Sequence, residues 1–233
     1  MPLPTILHEQ SGVVAILKPV GLATQAPPGL DSVERWLRTH LARGDDGYVG
    51  VPHRLDRAVS GVVLMTATPR AARKLSRQFE RRQVLKTYLA VVEPRPGSQL
   101  PRDGVAREWR DHLRKVAEQA RTELVEPAAA GGREAVTRVH LHESGGSGGA
   151  RALLRLEPLT GRMHQLRIQA ASRGLPIVGD ELYGGPPLEG GVELGQPILL
   201  HAWRIEYDDP DSGERVDVTA PLPSHWPAAA RPA

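Results

Sequence analysis

The chain has 233 residues, of which 40% are hydrophobic and 24% are charged, a composition typical of a soluble globular protein with a sizeable core. The net charge is only +3, but the 30 basic residues include just four lysines, and arginine is well suited to phosphates and nucleobases. The absence of cysteine excludes disulfides, thiolate metal ligands and a cysteine nucleophile.

The N-terminus carries no recognisable targeting or membrane segment. A basic region followed by an apolar stretch, the pattern of a signal peptide, is absent. The longest early apolar run, 13–17, is far shorter than the roughly 20 residues that a membrane helix needs. We therefore expect a cytoplasmic protein that does not enter the membrane.

The first part of the chain predicts strands and one short helix. "GVVAILKPVG" is typical of a strand that ends at a proline and a glycine. Residues 31–43 have helical spacing, with Asp31 or Ser32 as the cap. "YVGVPHRLD" (48–56) and 62–66 are predicted to be strands.

The clearest helix is predicted over 68–82. Thr68 can cap it, Pro69 suits the first turn, and its inward stripe is Ala71, Ala72, Leu75 and Phe79. The other side is basic, with Arg70, Arg73, Lys74, Arg77 and Arg81 at three- and four-residue spacing. This face is either simply solvated or binds phosphates.

The rest of the chain is rich in strands. We predict strands over "LKTYLAVV", "AVTRVHLH", "ARALLRLEPL" and a pair near 197–219, and a short helix in "GRMHQLRIQAASRG" capped by Gly174. Residues 106–124 stay unassigned, "ESGGSGG" is predicted to be a flexible loop, and "PAAARPA" a loose tail. Irregularly interspersed helices favour an α+β fold.

Several kinds of catalytic site are disfavoured. His140 and His142 share one face of a predicted strand, but no histidine spacing matches a zinc pattern, so we predict no metal site. No phosphate-binding glycine loop with its lysine occurs, and Ser60 lies outside a GxSxG motif.

Several co-ordered motifs from about residue 6 to about 222 carry a specific resemblance. "HRLDRAVSGVVLMT", "KTYLA" and "LTGRMHQLRIQAASRGLPIVGDELYG", with "KPVG" before them and "LLHA" after them, resemble the RluA-type pseudouridine synthases. The resemblance implies a bent, mostly antiparallel sheet with flanking helices and a central active-site cleft. It also implies a single catalytic domain over 1–222, with a flexible tail over 223–233 and no separate N-terminal RNA-binding domain.

The implied reaction isomerises uridine in rRNA or tRNA to pseudouridine and needs no cofactor. A carboxylate can stabilise or trap the positive charge that develops on the sugar when its glycosidic bond breaks. The resemblance makes Asp56 that carboxylate, by attack on C1′ or by removal of a sugar proton. It assigns to Tyr88 the removal or relay of the proton on C5. It makes Arg167 the cation that keeps Asp56 ionised.

RNA binding is implied as well. The resemblance makes Arg54 the residue that fills the stack vacated by a flipped uridine. The other residues predicted to bind RNA are Arg57, Arg70, Arg73, Lys74, Arg77, Arg162 and His164. RNA is the expected partner, and we expect a monomer.

Three positions differ from the family pattern. They are Val59, Met163 and Gln169, and the last two are predicted to alter the pocket wall or the RNA contacts. Two alternatives stay open: an RNA-binding module of the same fold without turnover, and a glycoside or nucleoside hydrolase. The hydrolase would need a second catalytic carboxylate, and neither Glu157 nor Asp180 forms a recognisable acid pair with Asp56.

Overall fold

The computed structural model describes residues 3–41, 47–102, 104–144, 151–188 and 197–226. The strands of this part are Thr5–Gln10 (β1), Val13–Lys18 (β2), Ser60–Thr66 (β3), Leu85–Val92 (β4), Arg107–Lys115 (β5), Thr122–Val125 (β6), Arg133–Ser144 (β7), Ala152–Pro158 (β8), Leu200–Asp208 (β9) and Arg215–Thr219 (β10). Its helices are Val33–His40 (α1), Pro69–Glu80 (α2), Gln165–Ser172 (α3) and a 3-10 turn at Glu181–Tyr183. The chain forms two compact units, the first from Met1–Lys86, Val192–Pro197 and His201–Pro223, and the second from Thr87–Gly191, Ile198–Leu200 and Ser224–Ala233.

The first unit orders its strands β1-β2-β3-β9-β10. All of these pairings are antiparallel except the short parallel contact between β3 and β9. Apolar side chains of β2, β3 and β9 pack against Ala71 and Leu75 of α2 and bury both of them. The result is a core that supports the residues directly before β3.

The second unit orders its strands β4-β8-β7-β5-β6, and every pairing is antiparallel. Helix α3 contributes Ile168 to a small core with Leu113 of β5 and Ala135 of β7. Tyr183 of the 3-10 turn packs against the same cluster. This packing fixes α3, the helix that carries Arg167.

The α+β class and the mostly antiparallel pairing are confirmed. Ser32 caps α1 and Thr68 caps α2, each accepting a backbone N–H three residues on. The unassigned stretch 106–124 holds β5 and the start of β6. The predicted "ESGGSGG" loop and the tail over 227–233 lie largely or wholly outside the described residues.

The strand predicted over 48–56 is wrong. Only Gly50 forms a bridge, to Thr66, and the residues that follow have no regular structure. Pro52 lacks the N–H that a ladder requires. The N–H of Leu55 is bonded to a side chain, so it is not used in a ladder either.

No helix in the described ranges is both long and apolar enough to cross a bilayer.

Candidate active site

Asp56 lies in an irregular loop directly before β3, in the first unit. It is half-buried, and its carbonyl accepts the N–H of Val59 at 3.0 Å, which closes a tight turn. The turn leads into a strand whose residues are all buried. The Asp56 carboxylate is therefore carried by a short loop at the start of β3, a fully buried strand.

The segment that contains "KPVG" holds this loop on both sides of Asp56. Thr24 Oγ1 donates to the carbonyl of Leu55 at 2.9 Å and accepts the N–H of Leu55 at 3.1 Å. The N–H of Gly21 donates to the carbonyl of Arg57 at 2.8 Å, and Arg57 Nε donates to the carbonyl of Gly21 at 2.7 Å. We call Thr24, Gly21 and Lys18 the loop clamp.

Lys18 completes the loop clamp from inside the unit. Its side chain is fully buried, and Nζ donates to the carbonyls of Leu22, Pro19 and Arg57 at 2.8, 2.9 and 3.3 Å. Burial lowers the pKa of Lys18 to about 7, although the negative charge of Asp56 opposes that shift. The sequence showed the "KPVG" motif, but sequence reasoning assigned no role to Lys18 or Thr24.

His53, at the start of the same motif, is a packing residue. Its ring is buried, stacks on Phe79 with ring centroids 5.3 Å apart, and accepts the N–H of Leu64 through Nδ1 at 3.5 Å. Burial, and then the charge of Lys86, lowers the pKa of His53 to about 3. The imidazole is therefore neutral at physiological pH.

The end of the motif joins β3 to β9. Ser60 Oγ hydrogen-bonds to Nδ1 of His201 at 2.8 Å, and both side chains are buried. A Cβ on Gly61 would lie 2.2 Å from the carbonyl oxygen of Ala202, and Gly61 has a φ of +118°. The close approach of the strands therefore requires glycine, which accounts for both "SG" and "LLHA".

Of the predicted RNA-binding residues in the first unit, Arg54 and Arg57 are exposed beside Asp56. Those of α2 form two groups. Arg70 and Lys74 form ion pairs with Asp211, at 3.0 and 3.7 Å, in the β9–β10 turn. The remaining pair, Arg73 and Arg77, lines a surface pocket.

Tyr88 and Arg167 lie in the second unit. Tyr88 is buried in β4, where it pairs with Leu156 of β8. Arg167 is buried on α3, and its Nε and Nη2 each donate to a different carboxylate oxygen of Asp180 at 2.7 Å. Asp180 is the partner that sequence reasoning did not assign, and the predicted pairing of Arg167 with Asp56 stays a prediction.

Neighbouring residues hold both members of the Arg167–Asp180 pair in place. The guanidinium lies over the ring of Tyr183, 5.2 Å from its centroid. The N–H of Gly185 donates to the carbonyl of Asp180 at 2.8 Å, and a Cβ on Gly185 would lie 2.0 Å from the carbonyl of Ile177. The "GDELYGG" stretch is thus a compact turn that presents Asp180 to α3.

Arg162 and His164 make contacts inside the second unit. Arg162 Nε donates to the carbonyl of Glu134 at 3.0 Å. His164, with a left-handed φ of +52°, hydrogen-bonds through Nδ1 to Tyr183 Oη at 3.0 Å. Tyr183 Oη also accepts the N–H of Thr122 at 2.9 Å, which ties β6 to the start of α3. Binding of RNA by Arg162 and His164 stays a prediction.

Gln169 lies on α3. It is fully buried and hydrogen-bonds to Thr137, Asp111 and the carbonyls of Trp109 and Ala135. It joins α3 to β5 and β7, and its predicted effect on the pocket wall or the RNA contacts stays a prediction. Met163 is half-buried, and its carbonyl accepts from Thr122 Oγ1 at 3.0 Å.

Comparison with known proteins identifies the motifs. A family model described as RNA pseudouridylate synthase matches residues 12–172. The chain is 33% identical to the "tRNA pseudouridine synthase C" of Yersinia pestis, over 95% of this chain and 87% of that protein. It is 30% identical to the "Dual-specificity RNA pseudouridine synthase RluA" of Escherichia coli K12, over 94% of each.

A third relative is longer. The chain is 30% identical to the "Ribosomal large subunit pseudouridine synthase C" of Pasteurella multocida over 93% of its own length, but it spans only 64% of that protein. Among solved structures, human "RNA Pseudouridylate Synthase Domain Containing 1" matches 98% of this chain with a TM-score of 0.71 at 22% identity. Human "RNA Pseudouridylate Synthase Domain Containing 4" matches 94% with a TM-score of 0.70 at 24% identity. At these identities the two structures support the fold.

Proposed function

The chain belongs to the RNA pseudouridylate synthase family and is of the RluA type, and from this premise we propose that Asp56 carries out the isomerisation of uridine in RNA. The observation that supports Asp56 most directly is the loop clamp. Hydrogen bonds reach the residue before it, Leu55, and the residue after it, Arg57. Such bracketing of one carboxylate suits a group that must stand at a fixed position relative to substrate.

The proposed reaction breaks the bond between ribose C1′ and N1 of uracil and forms a bond from C1′ to C5. N1 gains a proton and C5 loses one, so the product is an isomer of the substrate. The carboxylate of Asp56 stabilises or traps the positive charge on the sugar while the base turns. The first step is either attack of the carboxylate on C1′ or removal of a sugar proton by it, and both alternatives use the same group.

The other roles are part of the same proposal. Arg167 favours the ionised form of the catalytic carboxylate. Tyr88 accepts or relays the proton that leaves C5. Exposed Arg54, two residues before Asp56, fills the stack vacated by the uridine.

We propose rRNA or tRNA as the substrate, because the relatives' names divide between these two. The names are ribosomal large subunit, tRNA and dual-specificity. The protein acts in this proposal as a cytoplasmic monomer. Mapping pseudouridines in total rRNA and tRNA from cells with and without the gene identifies the substrate, and unchanged maps in both would contradict this choice.

The test of the catalytic role compares Asp56→Asn with Asp31→Asn, which neutralises a carboxylate that is 91% exposed in the same unit. Tritium release from RNA labelled at uracil C5 measures turnover, and filter binding measures affinity. We expect Asp56→Asn to abolish turnover with affinity within a few-fold of wild type, and Asp31→Asn to retain both. Turnover by Asp56→Asn would refute the mechanism, and RNA binding without turnover by wild type would favour the silent module.

A further inference from the structure

The basic side chains of α2 lie in two rows with different surroundings. The row of Arg70 and Lys74 faces Asp211, and Lys74 Nζ also donates to the carbonyl of Pro210. The row of Arg73 and Arg77 lines an open pocket of about 400 Å³ on the first unit. This volume is within the ~300–1,000 Å³ typical of small-ligand sites.

An aromatic side chain forms part of the same pocket. Tyr48 lines it and is 40% exposed, so part of the side chain is accessible from solvent. A Cβ on Gly50 would lie 2.8 Å from Tyr48 Oη and 3.0 Å from the Cβ of Ala72. Gly50 therefore makes room for the tyrosine to lie beside α2.

The remaining lining residues define what the pocket can accept. Pro69 and Ala72 give it an apolar wall, Ser76 supplies a hydroxyl, and Glu80 supplies a carboxylate. Two guanidinium groups outnumber that one carboxylate, so the pocket favours an anion. A compact anion such as free phosphate would use the arginines alone, whereas a larger ligand can also use the ring and the acceptor of Glu80.

We propose that this pocket binds one nucleotide of the substrate RNA that flanks the target uridine. The phosphate lies against Arg73 and Arg77, the unpaired base stacks on Tyr48, and Glu80 accepts a base N–H. The ligand is therefore a nucleotide of a single-stranded or looped segment, because a base in a duplex cannot offer its face to the ring. This inference rests on the proposed function but involves none of the residues of the Asp56 loop or its clamp.

The test compares two double variants. The pocket variant carries Arg73→Ala and Arg77→Ala, and the control variant carries Arg204→Ala and Arg215→Ala. The control removes two exposed arginines from β9 and β10 of the same unit, so the change in net charge is the same. The probe is a single-stranded RNA oligonucleotide that contains 5-iodouridine, and a duplex of the same sequence is measured in parallel. Thermal unfolding of each variant verifies that it is folded.

We expect the pocket variant to bind the single strand about tenfold more weakly or worse, with a salt slope smaller by ~1–2. The control is expected to stay within threefold of wild type. Tyr48→Ala should weaken binding about fivefold or more and Tyr48→Phe should not, because stacking needs only the ring. Irradiation should cross-link the iodouridine probe to Tyr48 in the wild type.

Equal losses in both double variants would overturn the proposal, since net charge alone would then account for binding. Equal losses for single strand and duplex would also overturn it, as would preferential binding of a polyglutamate peptide. Turnover separates this proposal from the preceding one. If Asp56→Asn retains turnover while the pocket variants lose affinity, the catalytic assignment fails and the pocket stands.

Discussion

Arg167 and Asp180 form a buried, two-pronged ion pair, with Nε and Nη2 each 2.7 Å from a different carboxylate oxygen. Their side chains are 8% and 1% exposed. A fork of this kind fixes the plane of the guanidinium as well as its position. In the second unit, Asp180 is therefore a positioning residue for Arg167.

We expect Asp180→Asn to destabilise the protein by about 3–5 kcal/mol, because it removes the negative charge from a buried pair. Turnover should fall as well, since Arg167 loses the partner that orients it. Arg204 and Asp217 provide the matched control, because they form the same fork at an exposed site. Asp217→Asn should cost less than about 1 kcal/mol. Urea unfolding of both variants measures the difference, and equal costs would contradict the argument.

The folded protein should lose stability in acid through His53. The folded chain keeps this imidazole neutral down to about pH 3, whereas the unfolded chain binds the proton near pH 6.5. The contribution of neutral His53 to the free energy of unfolding is therefore fully present above pH 6.5 and declines as the pH falls towards 3. In His53→Phe the stacking on Phe79 is kept and the titration is gone. The free energy of unfolding of the wild type minus that of the variant should decrease as the pH falls across this range, as measured by urea unfolding. A constant difference would show that His53 does not titrate as described.

Lys18 should contribute a trend of the same sign at high pH, because its pKa is also lowered in the folded chain. The unfolded chain holds the proton until about pH 10.5, but the folded chain releases it near pH 7. The free energy of unfolding therefore gains a contribution as pH rises from 7 to 10.5. Lys18→Met lacks this gain, so its deficit relative to wild type should widen over that interval. A deficit that stays level would mean that Lys18 remains charged when buried.

Local patterns in the sequence were sufficient for α1 and α2. The apolar spacing of Ala71 and Leu75 and the cap at Thr68 identify α2, because both signals repeat within a few residues. The strand predicted at 48–56 failed because Leu55 uses its backbone N–H to bond Thr24, 31 residues away. No periodicity encodes that contact.

The candidate site likewise combines residues that local motifs indicate with residues whose roles depend on contacts between distant parts of the chain. The resemblance indicated Asp56 and Arg167, because their motifs are contiguous in sequence. It did not indicate Asp180 as the partner of Arg167, because that contact depends on the turn that Gly185 allows. Lys18 and Thr24 were visible in the sequence, yet their role depends on contacts with backbone carbonyls, which leave no trace in side-chain pattern.

Thr24 provides the sharpest test of the loop clamp. Thr24→Val keeps the shape of the side chain but leaves the N–H and carbonyl of Leu55 without this partner, at a cost of about 1–3 kcal/mol. If the clamp positions Asp56, kcat should fall on the order of 10- to 100-fold while KM and RNA affinity change little. Thr24→Ser restores the hydroxyl and should recover most of kcat. Recovery of stability in Thr24→Ser without recovery of kcat, or a loss confined to KM, would mean that the clamp does not position the carboxylate.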